Sequence, residues 1–401
     1  MSKLDVRGQG SLAIATVSPV QSAAADPKFQ PPPQRPRGRA RALREVQPSF
    51  GFDSEPTVSA LARAESYPQL RFMGSKHRLL PWLNEVLGSL RFTTALDAFS
   101  GSGCVSYLLK SMGKTVTSND FLLFAKHFAN GLTANPGIRL DANDMVRLQQ
   151  HNPRSRHFIA NTFRGIFFPD ADNKFLDTVS ANLREIENPF KQSLAIAALC
   201  RSALKKQARG VFTISGLDGR HDDGRRDLSL SMQEHFAESV AIFNKVTFDD
   251  GKCHRAMNGD VFSAPVDADL VYMDPPYVPR SDDNCYIKRY HFLEGLSAYW
   301  KDLPIIEDSK VKKIAKRFTP FSYRRTAVAA FDAMFSRFRS STLVLSYSSN
   351  GYPDCDVLVA MMRRYKSTVT VHECEHRYHF GTHAGVREDR AVVREYLIVG
   401  V

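Results

Sequence analysis

The feature that most constrains this chain is the tetrapeptide Asp274-Pro275-Pro276-Tyr277, which follows an apolar run over residues 268–273. The run predicts a short buried strand. Two successive prolines cannot continue that strand, so the chain must turn after Asp274. In an open α/β sheet, strand ends are where ligands bind. A carboxylate, a backbone carbonyl and an aromatic ring are therefore expected together at a binding edge.

This tetrapeptide suits recognition of an exocyclic amino group on a flat base. The Asp274 carboxylate and the Pro275 carbonyl can each accept a hydrogen bond from an NH2 group, and the Tyr277 ring can stack on the base. A proline-rich turn with a chance aromatic residue is the alternative interpretation of so short a motif. The candidate catalytic residues are Asp274, Pro275, Pro276 and Tyr277.

A glycine-rich turn marks a second binding edge. Residues 94–99 predict a strand and residues 105–110 a helix, with Ser100-Gly101-Ser102-Gly103 between them, as in the opening of a nucleotide-binding βαβ unit. Asp120 ends the next predicted strand, near the offset at which an acidic residue binds ribose hydroxyls. Ser106 occupies the place of the third glycine of a dinucleotide fingerprint, so a mononucleoside ligand fits better than NAD.

Two further segments carry candidate ligand contacts. Gly74-Ser75 precedes an amphipathic helix predicted over residues 79–90, and its exposed N–H groups suit an anion. Lys76 would then face a carboxylate or a phosphate. Asp260 closes a strand-like piece, where it could accept from an adenine amino group or simply cap a turn.

Composition narrows the partner and the compartment. The net charge of +12 favours a polyanionic partner, with nucleic acid as the leading candidate. The six cysteines contain no C-x-x-C pair, which argues against a zinc site and a disulfide framework and favours a reducing cytoplasm. No apolar run is long enough to span a membrane. We therefore expect a cytoplasmic location, no membrane partner and no metal.

The α/β rhythm is interrupted once, between residues 135 and 250. We interpret residues 1–65 as a disordered Pro/Arg-rich tail, residues 66–134 and 251–401 as two parts of one α/β domain, and residues 135–250 as a mostly helical insertion. A basic cluster in the insertion suits phosphate contact or guanine readout, the alternative being a solvated helix face and a mobile loop. The candidate DNA-binding residues are Arg201, Lys205, Lys206, Arg209, Arg220, Arg225 and Arg226.

In this order, the motifs resemble the Dam-type, alpha-group DNA adenine N6-methyltransferases of restriction–modification systems. The resemblance extends from about Tyr67 to Val401, with the insertion between the third and fourth motifs. Those motifs are Arg71-Phe72-Met73-Gly74-Ser75-Lys76, the turn from Asp97 to Gly103, Asp120, and Asp274-Pro275-Pro276-Tyr277. The resemblance implies an α/β, Rossmann-like S-adenosylmethionine-dependent methyltransferase fold with a mostly helical target-recognition insertion.

The resemblance also implies a cofactor and residue roles. S-adenosylmethionine would contact Phe72 and Lys76, its ribose would bind Asp120, and Asp274 would lie between cofactor and target. Phe72 replaces a tryptophan and Ser75 a glycine common in the family, which puts cofactor affinity in question. The candidate cofactor-binding residues are Phe72, Gly74, Lys76, Asp97, Phe99, Gly101, Gly103, Asp120, Asp260 and Asp274.

The expected activity is methylation of N6 of a flipped adenine in a specific site of double-stranded DNA. A restriction endonuclease acting on the same site is a possible partner. N4-cytosine methylation of DNA and amino-methylation of RNA or of protein glutamine remain open alternatives, as does a non-catalytic DNA-binding module. A C5-cytosine enzyme would need a nucleophilic cysteine, and the chain has no Pro-Cys pair.

Overall fold

The structure is a computed structural model that begins, in its described part, with a helix the sequence did not indicate. It describes residues 58–214, 224–278, 285–377 and 392–401. Residues 1–57 of the predicted tail lie outside this part. Residues 58–65 were assigned to the tail, but helix α1 (Ala60–Glu65) forms there, capped by Ser59 and with Ala64 fully buried. Six residues are too few to show an amphipathic period, which is why the helix was missed.

The centre of the fold is a sheet of seven strands in the described residues. They are β1 (Thr94–Asp97), β2 (Thr115–Asp120), β3 (Arg255–Asn258), β4 (Leu270–Met273), β5 (Thr342–Ser348), β6 (Val369–Arg377) and β7 (Val392–Gly400). Their order is β3-β2-β1-β4-β5-β7-β6. The first five are parallel, and β7 runs antiparallel to both β5 and β6. This topology confirms the predicted Rossmann-like α/β fold.

The strand order reverses beside β1. The chain runs outward from β1 through β2 to β3, and then returns to place β4 on the other side of β1. Asp97 is paired in register with Ser118 of β2 and with Tyr272 of β4. The carboxyl ends of three neighbouring strands therefore meet at one edge, and such a reversal opens a crevice for ligands.

Helices flank the sheet and make up most of the insertion, residues 135–250. They are α2 (Leu80–Gly88), α3 (Cys104–Ser111), α4 (Leu123–Phe128), α5 (Ala142–Gln149), α6 (Phe158–Thr162), α7 (Asp170–Asn182), α8 (Pro189–Lys206), α9 (Arg226–Ser229), α10 (Met232–Val246), α11 (Tyr286–Ala298), α12 (Arg324–Arg337) and α13 (Cys355–Met362). The mostly helical character predicted for residues 135–250 agrees with α5 to α10. No helix in the described ranges is long and apolar enough to cross a membrane.

Both faces of the sheet are buried, as expected for parallel strands. Leu270 and Tyr272 belong to one core, and Val271 and Met273 to the other, because successive strand side chains point to opposite faces. The first core also contains the buried residues of α8, such as Ala197. The helical insertion therefore shares a hydrophobic core with the sheet.

Candidate active site

The carboxyl ends of β1, β2 and β4 open into a cavity of about 520 Å³. Its wall includes the turn after β1, Asp120 at the end of β2, and Asp274-Pro275-Pro276-Tyr277 after β4. Residues 72–76 form one side, and a segment that includes Arg317 forms another. The glycine-rich bend and the double-proline bend, which are far apart along the chain, thus share one cleft.

Most of the predicted cofactor residues line this cavity. They are Phe72, Gly74, Lys76, Asp97, Phe99, Gly101, Asp120, Asp260 and Asp274. Gly103 is not in the wall. It precedes α3 with a φ of 81°, and a Cβ there would lie 2.8 Å from the Tyr67 hydroxyl. Gly103 therefore serves the turn rather than a ligand contact.

Gly101 brings the backbone of the turn against two cavity residues. Its φ is 49°, and a Cβ would lie 3.1 Å from the Phe72 ring. Its N–H donates to Asp120 Oδ2 at 2.7 Å, and the Leu122 N–H donates to Oδ1 at 2.8 Å. Burial raises the pKa of Asp120 to about 6, against the opposing effect of these two hydrogen bonds. The carboxylate is thus fixed in place at the cavity wall.

Asp97 is a buried carboxylate in which one oxygen accepts a hydrogen bond and the other accepts none. Oδ2 accepts from the Ser106 hydroxyl at 2.6 Å, and Ser106 in turn accepts from Ser118 at 2.8 Å. Oδ1 has no hydrogen-bond partner. Burial raises the pKa of Asp97 to about 7, with Asp274 and Asp120 adding to the rise. An unsatisfied acceptor in a cavity wall is costly without a ligand that donates to it.

Lys76 and Asp274 form a buried ion pair across the cleft. The Lys76 ammonium lies 2.7 and 2.6 Å from the two carboxylate oxygens and donates to the Gly74 carbonyl at 3.1 Å. Burial raises the pKa of Asp274 to about 6, and the ammonium limits that rise. Burial favours the neutral amine of Lys76, but Asp274 and Glu395 outweigh it and raise the Lys76 pKa. The sequence predicted a carboxylate or a phosphate opposite Lys76, and the structure places the Asp274 carboxylate there. Contact of Lys76 with the cofactor stays a prediction.

Tyr277 is held in place by a residue that sequence analysis missed. Its hydroxyl donates to Glu395 Oε2 at 3.0 Å, and its ring packs edge-on against Tyr347 at 4.9 Å between centroids. Glu395 is fully buried on β7, opposite Ser348 of β5. A lone glutamate in an apolar strand was the only signal available, and it did not indicate the partner.

An aromatic stack backs the segment of residues 72–76. Phe72 stacks on Tyr290 with centroids 4.9 Å apart and planes inclined by 19°. The Met73 N–H donates to the Tyr290 hydroxyl at 2.8 Å. Tyr290 thus positions Phe72 at the cavity. The neighbouring His291 is buried, with Nε2 2.8 Å from the Phe212 carbonyl, and has a structural role.

Asp260 and Phe99 line the cavity, and each contacts a neighbouring residue of the protein. Asp260 accepts from the Phe262 N–H at 2.9 Å and so caps a short helical turn. The turn-capping alternative is therefore what the structure shows, although Asp260 also lines the cavity. Phe99 packs edge-on against Phe321 at 5.4 Å.

A second ion pair, between a buried carboxylate and a partly exposed guanidinium, borders the cavity beside Asp120. Glu294 is 2% exposed and accepts from the Leu123 N–H at 2.8 Å, and the Arg317 guanidinium pairs with it. The Arg317 guanidinium also lies 4.5 Å from the centroid of the Phe121 ring. Both contacts of the Arg317 guanidinium are thus with residues of the protein itself.

The predicted DNA-binding cluster divides into buried and accessible members. Arg201 is buried and donates to the Ser239 hydroxyl at 2.9 Å. Lys206 is 5% exposed and donates to the Leu228 and Leu230 carbonyls. Both cations are thus used within the helical core and not presented to solvent. The prediction that Arg201 and Lys206 bind DNA is therefore wrong. It failed because a periodic pattern does not show which face of α8 is covered by other elements.

The accessible members lie near residue 71, at the edge of the active-site segment. Lys205 and Arg71 both pair with Asp227, at 2.7 and 2.6 Å. Arg225 donates to the Ala208 carbonyl at 3.0 Å, and Arg209 is exposed. Arg226 is also exposed and pairs with Glu238. Arg220 lies outside the described residues.

Comparison with known proteins identifies the family. The model of the D12 class N6 adenine-specific DNA methyltransferases matches residues 72–302, more than half of the chain. The chain belongs to this family. The match confirms the resemblance found from the motifs, and it establishes DNA adenine N6-methylation as the family's activity.

Three curated relatives resemble this methyltransferase over most of its length. Type II methyltransferase M2.HphI of Haemophilus parahaemolyticus is 29% identical over 78% of this chain and 92% of its own. Modification methylase LlaI of Lactococcus lactis subsp. lactis is 22% identical over 82% of this chain, which spans 54% of that relative. Type II methyltransferase M.NlaIII of Neisseria lactamica is 23% identical over 70% of this chain and 84% of its own.

The cavity of this methyltransferase fits the cofactor that the family implies. Its wall offers buried acceptors without hydrogen-bond partners, Asp97 Oδ1 and Asn119 Oδ1, for an ammonium or hydroxyl donor. Gly101 leaves space that a Cβ would fill. Apolar rings such as Phe72 and Phe121 complete the wall. In the described residues, no group of three or more His, Cys, Asp or Glu side chains is placed to hold a metal ion.

Proposed function

We propose that this methyltransferase uses S-adenosylmethionine to methylate N6 of adenine at a specific site in double-stranded DNA. The observation that carries the proposal is the shared cavity. It joins the glycine turn, Asp120 and the unsatisfied Asp97 to the amino-binding tetrapeptide at Asp274. When bound, S-adenosylmethionine supplies an electrophilic methyl group on a sulfonium.

One half of the cavity holds the cofactor. Asp120 keeps lone pairs for ribose hydroxyls beyond those used by the Gly101 and Leu122 N–H groups. Asp97 Oδ1 faces a donor such as the cofactor's ammonium, because it is buried and otherwise unbonded. Phe72 supplies a flat apolar contact, and Gly101 allows close approach of the backbone.

The other half holds the target base. Duplex DNA hides the adenine amino group, so the base must leave the stack at a cost of a few kcal/mol. The Asp274 carboxylate and the Pro275 carbonyl then accept the two N6 hydrogens, and the Tyr277 ring stacks on the base. These hydrogen bonds favour a more tetrahedral nitrogen whose lone pair points at the methyl donor. Positioning alone is worth ~7–11 kcal/mol in favourable cases.

Lys76 keeps Asp274 in the form that this chemistry needs. The ionised carboxylate is an acceptor on both oxygens, so either oxygen can accept the one N6 hydrogen that is directed at Asp274. The ammonium occupies one lone pair on each oxygen, at 2.7 and 2.6 Å, and leaves the others for the base. It also balances the buried Glu395, which contributes to the rise in the Lys76 pKa.

Site recognition is proposed for the helical insertion, residues 135–250. Its accessible cations lie next to Arg71 and therefore beside the cavity segment. We propose that Lys205, Arg209, Arg225 and Arg226 contact the DNA backbone or bases, together with Arg220. The relatives are named as type II methyltransferases and a modification methylase. We propose that this protein is likewise the modification component of a restriction–modification system.

The test is expression in a host that lacks adenine methylation, followed by nucleoside mass spectrometry and single-base sequencing of the plasmid. N6-methyladenine at one recurring sequence is expected, and a nuclease specific for that sequence should fail to cut the plasmid. Asp274→Ala should abolish the mark while keeping DNA affinity. N4-methylcytosine, or normal turnover by Asp274→Ala, would contradict the proposal. Asp269→Ala, at the opposite end of β4, is the control and should remain active.

A further inference from the structure

Residues 316–325, here called the rim segment, run along one side of the cavity. They comprise residues 316–319 without regular secondary structure, a 3-10 turn (Pro320–Ser322), Tyr323 and the first two residues of α12. Thr319 has φ −135° and ψ 132°, and Tyr323 has φ −132° and ψ 133°. Arg317, Thr319 and Phe321 line the cavity. Phe318 lies between two of these residues in the sequence but is itself 60% exposed.

The rim segment connects the two halves of the active site. At one end, the Arg317 guanidinium lies over Phe121, the residue after Asp120. At the other end, the Arg324 guanidinium lies 4.3 Å from the centroid of the Tyr352 ring. The Tyr352 N–H donates to the Val278 carbonyl, directly after the catalytic tetrapeptide. The rim segment therefore runs beside the cavity from the Asp120 end to the tetrapeptide end.

Phe318 is held as a flat, solvent-facing surface. Its ring stacks on Tyr323 with centroids 5.7 Å apart and planes only 8° from parallel. An isolated exposed apolar side chain is ordinary. A ring supported from behind, beside a base-binding cavity, has instead lost part of its freedom before any partner arrives. Such preorganisation lowers the cost of stacking on a partner.

The segment that carries this ring also carries exposed cationic side chains. Lys316, Arg324 and Arg325 are exposed in the same segment. An aromatic platform with flanking cations matches the chemistry of a nucleic acid, in which bases stack and phosphates pair with lysine and arginine. A purely apolar protein partner would not need the cations.

We propose that Phe318 stacks on the base that becomes uncovered when the target adenine leaves the duplex, while Lys316 and Arg325 contact the adjacent phosphates. The inference rests on the proposed function, because it assigns the DNA contact next to the same cavity. Extrusion of the adenine removes its stacking on its neighbours. An inserted or apposed aromatic ring replaces part of that stacking and stabilises the open duplex.

The test compares Phe318→Ala with wild type on two synthetic duplexes containing the sequence found by methylation mapping. In one, the target adenine is paired with thymine. In the other, it faces an abasic position and is already weakly held. Stacking on one base corresponds to about ten- to hundredfold in kcat/KM. We expect a loss of that size on the paired duplex and less than about threefold on the abasic duplex, with unchanged cofactor binding by calorimetry.

Matched variants separate this role from general damage. Phe318→Tyr keeps the platform and should retain activity. Val266→Ala removes an apolar side chain that is 45% exposed near the other end of β4. It should leave kcat/KM unchanged on both duplexes. Equal losses on both duplexes, or no loss on the paired duplex, would overturn the stacking role and point to a protein partner or none. Failure of wild type on both duplexes would instead refute the proposed function itself.

Discussion

The Lys76 ammonium lies 2.6 Å from one oxygen of Asp274 and 2.7 Å from the other, although the two residues are 198 positions apart. Lys76 is 3% exposed, so its charge is balanced locally and not by solvent. Breaking such a pair leaves an uncompensated buried charge, which is strongly unfavourable. The pair therefore connects the first motif of the chain to the last, and it influences the ionisation of the residue that we propose binds the target amino group.

Replacing Lys76 should move the pH dependence of methyl transfer. Burial raises the pKa of Asp274 to about 6, and Lys76 opposes that rise. In the proposed mechanism the ionised form of Asp274 binds N6, so wild-type kcat/KM should fall below about pH 6. In Lys76→Met the pKa should rise further, which shifts the acid limb to higher pH and lowers activity at pH 7. The measurement is a kcat/KM profile from pH 5 to 9.

Lys114→Met provides the control for that experiment. Lys114 lies at the opposite edge of the sheet and donates to the Phe92 carbonyl at 2.8 Å. Its profile should coincide with that of wild type. An unshifted acid limb in Lys76→Met would show that the ammonium does not control Asp274.

Asp97→Asn should stabilise the protein while weakening cofactor binding. The pKa of Asp97 is raised to about 7 by burial. A raised carboxyl pKa costs no stability below about pH 4, costs progressively more between pH 4 and 7, and costs the full amount above. The variant should therefore be ~2–4 kcal/mol more stable at pH 8, with a smaller gain at pH 5. Urea unfolding at both values, with calorimetry for the cofactor, measures this.

Asp269→Asn should behave in the opposite way. Hydrogen bonds from the Thr94 and Thr93 N–H groups hold the pKa of Asp269 below its usual range. A lowered pKa contributes stability at neutral pH that disappears on acidification. Loss of stability in Asp97→Asn at pH 8 would contradict our interpretation that burial of the Asp97 carboxylate destabilises the protein.

The Tyr277–Glu395 hydrogen bond should couple the two residues in catalysis. Tyr277→Phe removes the hydroxyl and keeps the ring, and Glu395→Gln removes the buried charge on β7. In a double-mutant cycle on kcat/KM we expect a coupling of ~1.5–3 kcal/mol, the value of a hydrogen bond to a charged group. Additive effects would mean that Glu395 does not position Tyr277.

Variants of Lys206 and Arg209 should have different effects, the first on the free energy of unfolding and the second on DNA binding. Lys206 ties α8 to the Leu228 and Leu230 carbonyls and lies 3.4 Å from Asp172, so Lys206→Met should lose ~3 kcal/mol of unfolding free energy. Arg209 is exposed, so Arg209→Ala should leave stability unchanged. It should weaken DNA binding and reduce the salt slope by about one. Urea unfolding and binding titrations at several salt concentrations measure the two effects, and the reverse pattern would contradict our division of the cluster.

The sequence by itself determined the fold class and the positions of the motifs that line the cavity. Asp274, Asp120 and Gly101 were identified because strand ends and glycine turns have local signatures, in the 2-residue period and in the turn chemistry. The parallel order then required those ends to meet at one edge. The helical character of the insertion also followed from local periodicity.

Only the tertiary structure decided which side chains act on one another. That Lys76 pairs with Asp274, that Glu395 holds Tyr277, and that Arg201 and Lys206 are buried all depend on contacts between residues distant in sequence. Periodicity shows that a helix has faces, but the packing of other elements selects the face that water reaches. Helix α1 was missed for a related reason, because a six-residue helix is stabilised by its contacts and not by its own propensity.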